Sequence, residues 1–357
     1  MPLLDNAGVN RREFLETVGA GLVAGSMRLP QPTSKNWTWL RGEVKEVDPW
    51  RRMLAGLKRA GFDAVLIGGT ADFYRTHVPL AREEGLELHA WQFVMMRGEN
   101  VKTHPDWYAV SATGVSSAIR PPYVDYYTFM CPSREDVREY LRGIVREVAS
   151  VAGLGSFHLD YIRYPDVILP VALWPKYNLV QDREYPQFDY CYCGVCRARF
   201  KNVRKVYRLS NDAAWTQFRY DTITQVVREL YEEAHKHGTP VTAAVFPTPE
   251  IAKKLVRQDW TNWKLDAVLP MVYNGFYKED VAWVERATRE GVMALKGRFP
   301  LYTGLYVPDL PPAALADAIE GAFAGGARGV SLFQGNMLTP EHLSAITPVL
   351  KAHRTLR

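Results

Sequence analysis

The segment Phe157-His158-Leu159-Asp160-Tyr161-Ile162-Arg163-Tyr164-Pro165 places an acid, two bases and two tyrosines at the end of an apolar run. It has the pattern of a buried strand whose C-terminal tip opens into a polar pocket. Strand alternation would put His158, Asp160 and Ile162 on one face and Leu159, Tyr161 and Arg163 on the other. A carboxylate left unpaired at such a depth costs several kcal/mol or takes up a proton. Asp160 is therefore either half of a structural pair with Arg163 or His158, or a catalytic or binding acid at the mouth of a pocket. Acid–base chemistry at such a site needs a second group, so that one donates a proton and the other attacks, activates water or stabilises charge. With Asp160 as nucleophile or charge stabiliser, the candidates for the second group are Glu250, Asp309 and Asp72, in that order. Arg163 and His158 would favour an ionised Asp160 by opposite charge and hydrogen bonding.

A second set of chemically capable residues is Cys131, Cys191, Cys193 and Cys196, the only cysteines of the chain. Three of them crowd into Tyr190-Cys191-Tyr192-Cys193-Gly194-Val195-Cys196, and Cys131 is remote in sequence. Four thiolates suit a tetrahedral zinc ion, and in an exported protein two disulfides suit the same count. Both assignments are structural, so catalysis requires no cofactor and the expected group is at most a structural zinc.

The elements that must position these groups alternate along the chain. Strands are expected at residues 36–40, 64–67, 86–93, 156–161, 241–246, 267–271, 301–305 and 329–333. Helices are expected at 49–60, 78–84, 133–151 (capped by Ser133), 212–237, 250–256, 280–290, 312–324 and 340–352. Eight strand–helix units imply parallel strands with right-handed crossovers, and hence a (β/α)8 TIM barrel with long loops after strands 3 and 4. An open doubly wound sheet is the alternative, but no glycine-rich phosphate loop follows the first strand. The barrel occupies 36–357, with the cysteine-bearing insertion at about 165–210.

Active groups of such barrels sit at the C-terminal ends of the strands. The tips carry Trp39 and Arg41, then Asp72, then Trp91 and Gln92, then His158, Asp160, Arg163 and Tyr164. Later tips carry Glu250, Tyr273 and Asn274, Tyr306 and Asp309, and Gln334. A ring of amides, acids and flat aromatics suits a polyhydroxylated ligand, with hydroxyl pairs hydrogen-bonded and sugar faces stacked on rings.

At the N-terminus, Asn10-Arg11-Arg12-Glu13-Phe14-Leu15 has the pattern of a twin-arginine export signal, followed by a short Gly/Ala-rich apolar stretch from Thr17 to Met27. That stretch is too short for a comfortable bilayer span. The expectation is a signal and linker over residues 1–35, the twin-arginine export machinery as a partner, a periplasmic or extracellular location, and no membrane span after processing. The plainer alternative is an amphipathic first helix that contains two arginines. The net charge is +5, but the basic residues are scattered, so no nucleic-acid partner is expected.

The chain resembles a group of bacterial glycoside-hydrolase-like TIM barrels that carry an HLDYIRYP-type fourth strand. The resemblance rests on Phe157 to Pro165, on the cysteine cluster leading into Arg197-Ala198-Arg199-Phe200, on Arg257-Gln258-Asp259-Trp260 with Trp263, and on Leu265 to Tyr273. His104-Pro105-Asp106-Trp107 and Cys131-Pro132 fit the same pattern, so the likeness runs from about residue 36 to 335. It implies a glycoside hydrolase acting on a poly- or oligosaccharide, with Asp160 as the catalytic acid. By analogy with alpha-amylase-type barrels, the partner would be a glutamate after strand 5, and Glu250 is the one nearby. Two other functions fit the same residues. One is a carbohydrate-binding barrel that breaks no bond. The other is a metal-dependent extracytoplasmic hydrolase or deacetylase, using His158 and Asp160 two apart on one strand face.

Overall fold

A computed structural model describes residues 34–41 and 47–355. Eight short parallel strands form one sheet: β1 Trp37–Leu40, β2 Ala64–Ile67, β3 Glu87–Phe93, β4 Phe157–Asp160, β5 Val241–Val245, β6 Ala267–Pro270, β7 Thr303–Tyr306 and β8 Val330–Phe333. The strand order β6-β5-β4-β3-β2-β1-β8-β7 is that of a barrel laid open between β6 and β7. Parallel bridges Val268–Leu301 and Met271–Gly304 close that seam. Gly304 is required there, because a Cβ on it would lie 2.6 Å from the carbonyl oxygen of Pro270. The fold is the expected (β/α)8 barrel.

The surrounding helices are α1 Val47–Ala60, α2 Ala71–Glu83, α3 Glu135–Ala149, α4 Gly194–Val203, α5 Asn211–His235, α6 Pro249–Val256, α7 Trp283–Leu295, α8 Pro312–Ala324 and α9 Pro340–Thr355. Apart from α4, which buries only Cys196, they pack an apolar stripe against the outside of the sheet. In α1 the stripe is Trp50, Leu54 and Leu57, at the spacing that lines up one helical face. The expected boundaries hold to within a few residues for most elements, with three differences. Helix α2 starts seven residues earlier than the sequence suggests. Thr70 caps it by accepting from the Phe73 amide at 3.3 Å, and Pro79 sits inside the helix. Helix α3 is preceded by Arg134 rather than Ser133 at its cap; the Ser133 carbonyl instead accepts from Arg138 and Arg199 at 3.2 and 2.9 Å. Helix α4 was not expected at all, and it lies within the cysteine-bearing insertion.

Two apolar cores result. The larger lies between sheet and helices. The smaller fills the barrel itself with Trp37, Trp39, Leu66, Leu269 and Tyr302, with Trp91 and Phe333 packed at its upper edge. His89 and His158 share this interior, His89 4.2 Å from the Trp37 ring and His158 5.8 Å from the Trp39 ring, centroid to centroid. These large rings plug the barrel up to the level of Trp39 and His158. Asp160, two residues beyond His158 on the same strand face, therefore stands on top of the plug.

The loops after β3 and β4 rise above this end of the barrel. Their anchors are polar and largely buried. Asp189 of the insertion pairs with Arg219 on α5 and with Arg257, which also reaches Glu184 at 2.5 Å. Gln181 accepts from the Leu169 amide at 2.8 Å and donates to the Tyr123 hydroxyl at 3.0 Å, which joins one loop to the other.

Candidate active site

A cavity of about 440 Å³ opens at the C-terminal end of the strands. Its floor is formed by Trp39, Trp91, Asp160, Met271 and Phe333 from the strand tips, and its walls by Tyr161, Arg163, Phe246, Tyr273 and Tyr306. The β3–α3 loop adds Tyr123, Val124, Tyr126 and Tyr127 as a roof. The insertion adds Asp166, Leu169, Pro170, Leu173, Lys176 and Tyr177. The lining is thus mostly aromatic, with two acids, Asp160 and Asp166, and two bases, Arg163 and Lys176.

Asp160 is half-buried on the cavity floor. Its two carboxyl oxygens accept separate hydrogen bonds, Oδ2 from Trp91 Nε1 at 2.8 Å and Oδ1 from the Tyr161 amide at 2.7 Å. Surrounding side chains crowd out water and push its carboxyl above the ordinary aspartate range. The two donors and the more distant charge of Arg163 pull the other way without cancelling the burial. This is the environment that keeps a carboxyl group protonated at a higher pH than usual.

The local backbone departs from the alternation expected for this segment. Tyr161 takes a left-handed conformation, φ 50°, which is uncommon for a residue with a side chain. The strand therefore ends at Asp160. Tyr161 and Arg163 turn into the cavity, and Ile162 goes to the outer core. Arg163 does not pair with Asp160. It pairs with Asp166, Nη1 to Oδ2 at 2.8 Å, donates to the Tyr164 carbonyl at 3.1 Å, and donates through Nη2 to the Tyr127 hydroxyl at 2.7 Å. Tyr127 in turn donates to Asp166 Oδ2 at 2.6 Å, closing a three-membered polar ring. The guanidinium also faces the rings of Tyr161 and Phe246, at 4.9 and 5.2 Å.

The residues singled out from sequence separate into two groups. Asp160, Arg163, Trp39, Trp91, Tyr273 and Tyr306 all line the cavity. The others do not. Glu250 is exposed in the first turn of α6, whose cap is Thr248. Asp72 is almost fully exposed on α2 beside Arg75. Asp309 is exposed after β7, against Gly275. Arg41 is exposed, and its amide donates to Asn336. Gln92 is buried, donating to the Gly69 carbonyl and the Tyr74 hydroxyl at 2.7 and 2.9 Å. Asn274 holds the Glu279 carbonyl at 3.0 Å, and Gln334 is buried. Tyr164 is fully buried, with its hydroxyl influenced by Cys131, Cys191 and Cys196 rather than facing the cavity.

His158 lies beneath the floor. Its Nδ1 is 2.8 Å from Thr242 Oγ1, and burial, with the nearby His89, depresses its pKa to about 3. It is a neutral interior residue of the barrel plug. Among the described residues, the one group of three or more His, Cys, Asp or Glu side chains close enough to share a metal ion is the four cysteines, and none of them lines the cavity.

Sequence reasoning missed Asp166, Tyr127, Tyr161 and Phe333. Asp166 directly follows Pro165 and could have been found by extending the strand-4 motif one residue. Tyr127 belongs to an aromatic run, Tyr123-Val124-Asp125-Tyr126-Tyr127, in a loop where an unburied core residue has no purpose.

No protein-family model matches the chain, and no curated protein does. Solved structures share its architecture. The PgaB (BpsB) glycoside hydrolase domain from Bordetella bronchiseptica superposes with a TM-score of 0.65 over 90% of this chain and 98% of that one, at 10% identity. The catalytic domain of beta-amylase from Paenibacillus polymyxa gives 0.61 over 90% and 99%, also at 10% identity. The beta-galactosidase from the psychrophilic Marinomonas ef1 gives 0.60 over 89% of this chain and 59% of that one, at 12% identity. At these identities the likeness is one of fold, and the fold is one that glycoside hydrolases use.

Proposed function

We propose that this protein hydrolyses a glycosidic bond in a poly- or oligosaccharide outside the cytoplasm. The observation that carries the reading is Asp160: a carboxyl group raised above its ordinary range by burial, half-open to a ring-lined cavity, and oriented by a donor on each oxygen. A raised carboxyl is suited to protonating the leaving oxygen. Trp91, Tyr161, Tyr273 and Tyr306 offer flat apolar faces to the sugar. Asp166 is the other acid lining the same cavity, and it takes precedence over Glu250, Asp309 and Asp72 as the second carboxylate of the reaction. Solved glycoside hydrolases of the same fold support the class of reaction.

Location outside the cytoplasm is supported by the Asn10 to Leu15 motif, which falls outside the described residues. No helix among the described residues is long and apolar enough to cross a membrane. Fractionating cells that express the chain with Arg11→Lys and Arg12→Lys tests the route; unchanged export would remove the twin-arginine machinery as a partner.

The chemistry is tested by assaying Asp160→Asn and Asp166→Asn on a glycan panel for reducing-end release. Loss of general acid–base catalysis lowers turnover about 10²- to 10⁴-fold. Unchanged turnover in Asp160→Asn would remove that residue from the reaction. Glycan binding by calorimetry without reducing-end release from the unmodified protein would instead favour a carbohydrate-binding barrel.

A further inference from the structure

The four cysteines come from three places: Cys131 just before α3, Cys191 and Cys193 in the insertion just ahead of α4, and Cys196 in the first turn of α4. In the folded chain their sulfurs all lie within 4.8 Å of one another. Cys131 Sγ is 3.5 Å from both Cys193 Sγ and Cys196 Sγ, and all four are free thiols. A disulfide holds its sulfurs at about 2.05 Å. Four sulfurs bound to one zinc ion at about 2.3 Å form a tetrahedron with edges of roughly 3.8 Å. The spacing matches the second arrangement.

The surroundings suit negative sulfurs. The Val110 amide donates to Cys191 Sγ at 3.3 Å and the Cys196 amide to Cys193 Sγ at 3.5 Å. Cys193 caps α4, so the positive end of that helix faces the cluster. Three of the cysteines are fully buried and Cys193 only partly so, which leaves a path for an ion to enter.

We infer that Cys131, Cys191, Cys193 and Cys196 bind one zinc ion, and that this ion pins together the two loops that roof the cavity. Binding releases one proton per thiol and leaves a Zn(S-Cys)₄ centre of net charge −2. Near the cluster the two loops are also joined by the Tyr192 amide to the Val110 carbonyl at 2.7 Å, by the Ala112 amide to the Pro186 and Asp189 carbonyls, and by the Ser111–Tyr190 bridge. Cys131 ends the loop that carries Tyr123 and Tyr127, and Cys191 ends the segment that carries Asp166 and Lys176. The metal thus acts on the roof by fixing both of its ends. The second half of this inference rests on the cavity described above; the first half does not.

The test uses the purified full chain. Elemental analysis should find one equivalent of zinc. Cobalt exchanged into the same protein should give intense sulfur-to-cobalt charge-transfer absorption. Zinc below about a tenth of an equivalent in protein that remains folded, or two disulfides found by mass mapping without reduction, overturns the site. Stripping the metal with a chelator should speed proteolysis within residues 94–134 and 165–193 at least tenfold while the far-ultraviolet dichroism of the barrel persists. If the zinc is present but its removal leaves cleavage of those loops unchanged, the roof-pinning role is wrong. None of these readouts depends on glycan turnover. Cys193→Ser, at the most accessible ligand, should lower zinc retention without requiring that Cys131 or Cys191 be touched.

Discussion

The Arg163–Asp166 pair offers the sharpest quantitative test of the cavity wall. Both side chains are about 95% buried, with 6% and 4% exposure. Replacing one member strands a buried charge, which costs about 3–5 kcal/mol. Arg163→Met should therefore destabilise by that order, because it also removes the donors to Tyr127 and to the Tyr164 carbonyl. Asp166→Leu should cost a similar amount, since it leaves a guanidinium with no counter-charge, facing aromatic rings, one hydroxyl and one carbonyl. The double variant Arg163→Met with Asp166→Leu removes both charges and replaces them with apolar volume, so it should lose far less than the sum of the singles. With a near-neutral double variant, the expected coupling, the sum of the two single losses less that of the double, is about 6–10 kcal/mol. Equilibrium denaturation of the four proteins at neutral pH measures it. Single-variant losses that add to within about 0.5 kcal/mol would show that the two groups do not depend on each other, and the reasoning would fail.

Three further outcomes follow from the site. Because the native carboxyl of Asp160 is raised, its stabilising contribution is complete below the ordinary aspartate range and is lost as pH rises through the raised native value; Asp160→Asn should thus gain stability relative to the parent between acidic and neutral pH, read as melting temperatures across that range. For His158 the sign is opposite, since its native pKa of about 3 lies below that of the unfolded chain, near 6.5. Stability should fall as pH drops from about 6.5 towards 3, and His158→Gln should flatten that limb of the curve. Tyr126, 67% exposed at the mouth of the cavity, should act in binding alone, so Tyr126→Ala should raise KM by a few-fold at unchanged kcat.

The strand–helix alternation, and with it the barrel, was legible from the sequence because period-2 and period-3.6 patterns record which face each element buries. The same logic put Asp160, Trp39, Trp91, Tyr273 and Tyr306 at strand tips, where barrel geometry sends them into one space. It failed for Glu250 and Asp72, which sit in the first turns of α6 and α2, where acids are favoured by the helix dipole whatever the function. It failed for Asp309, which follows β7 on an exposed turn. It failed for Gln92, Asn274 and Gln334 because a tip amide serves a neighbouring carbonyl or a buried packing site as readily as a ligand. Tyr164 belongs to the same motif as Asp160, but the turn at Tyr161 sends it to the cysteines.

By itself, the sequence determined the number and order of the elements, the acid at the fourth strand and the presence of four cysteines. The tertiary structure alone decided which acid shares the cavity with Asp160, that Arg163 serves Asp166 rather than Asp160, and that Cys131 meets the three cysteines some sixty residues further on. Local patterns report burial along one element, whereas pairing across loops depends on where two long, irregular segments come to rest on the barrel, and no periodicity encodes that.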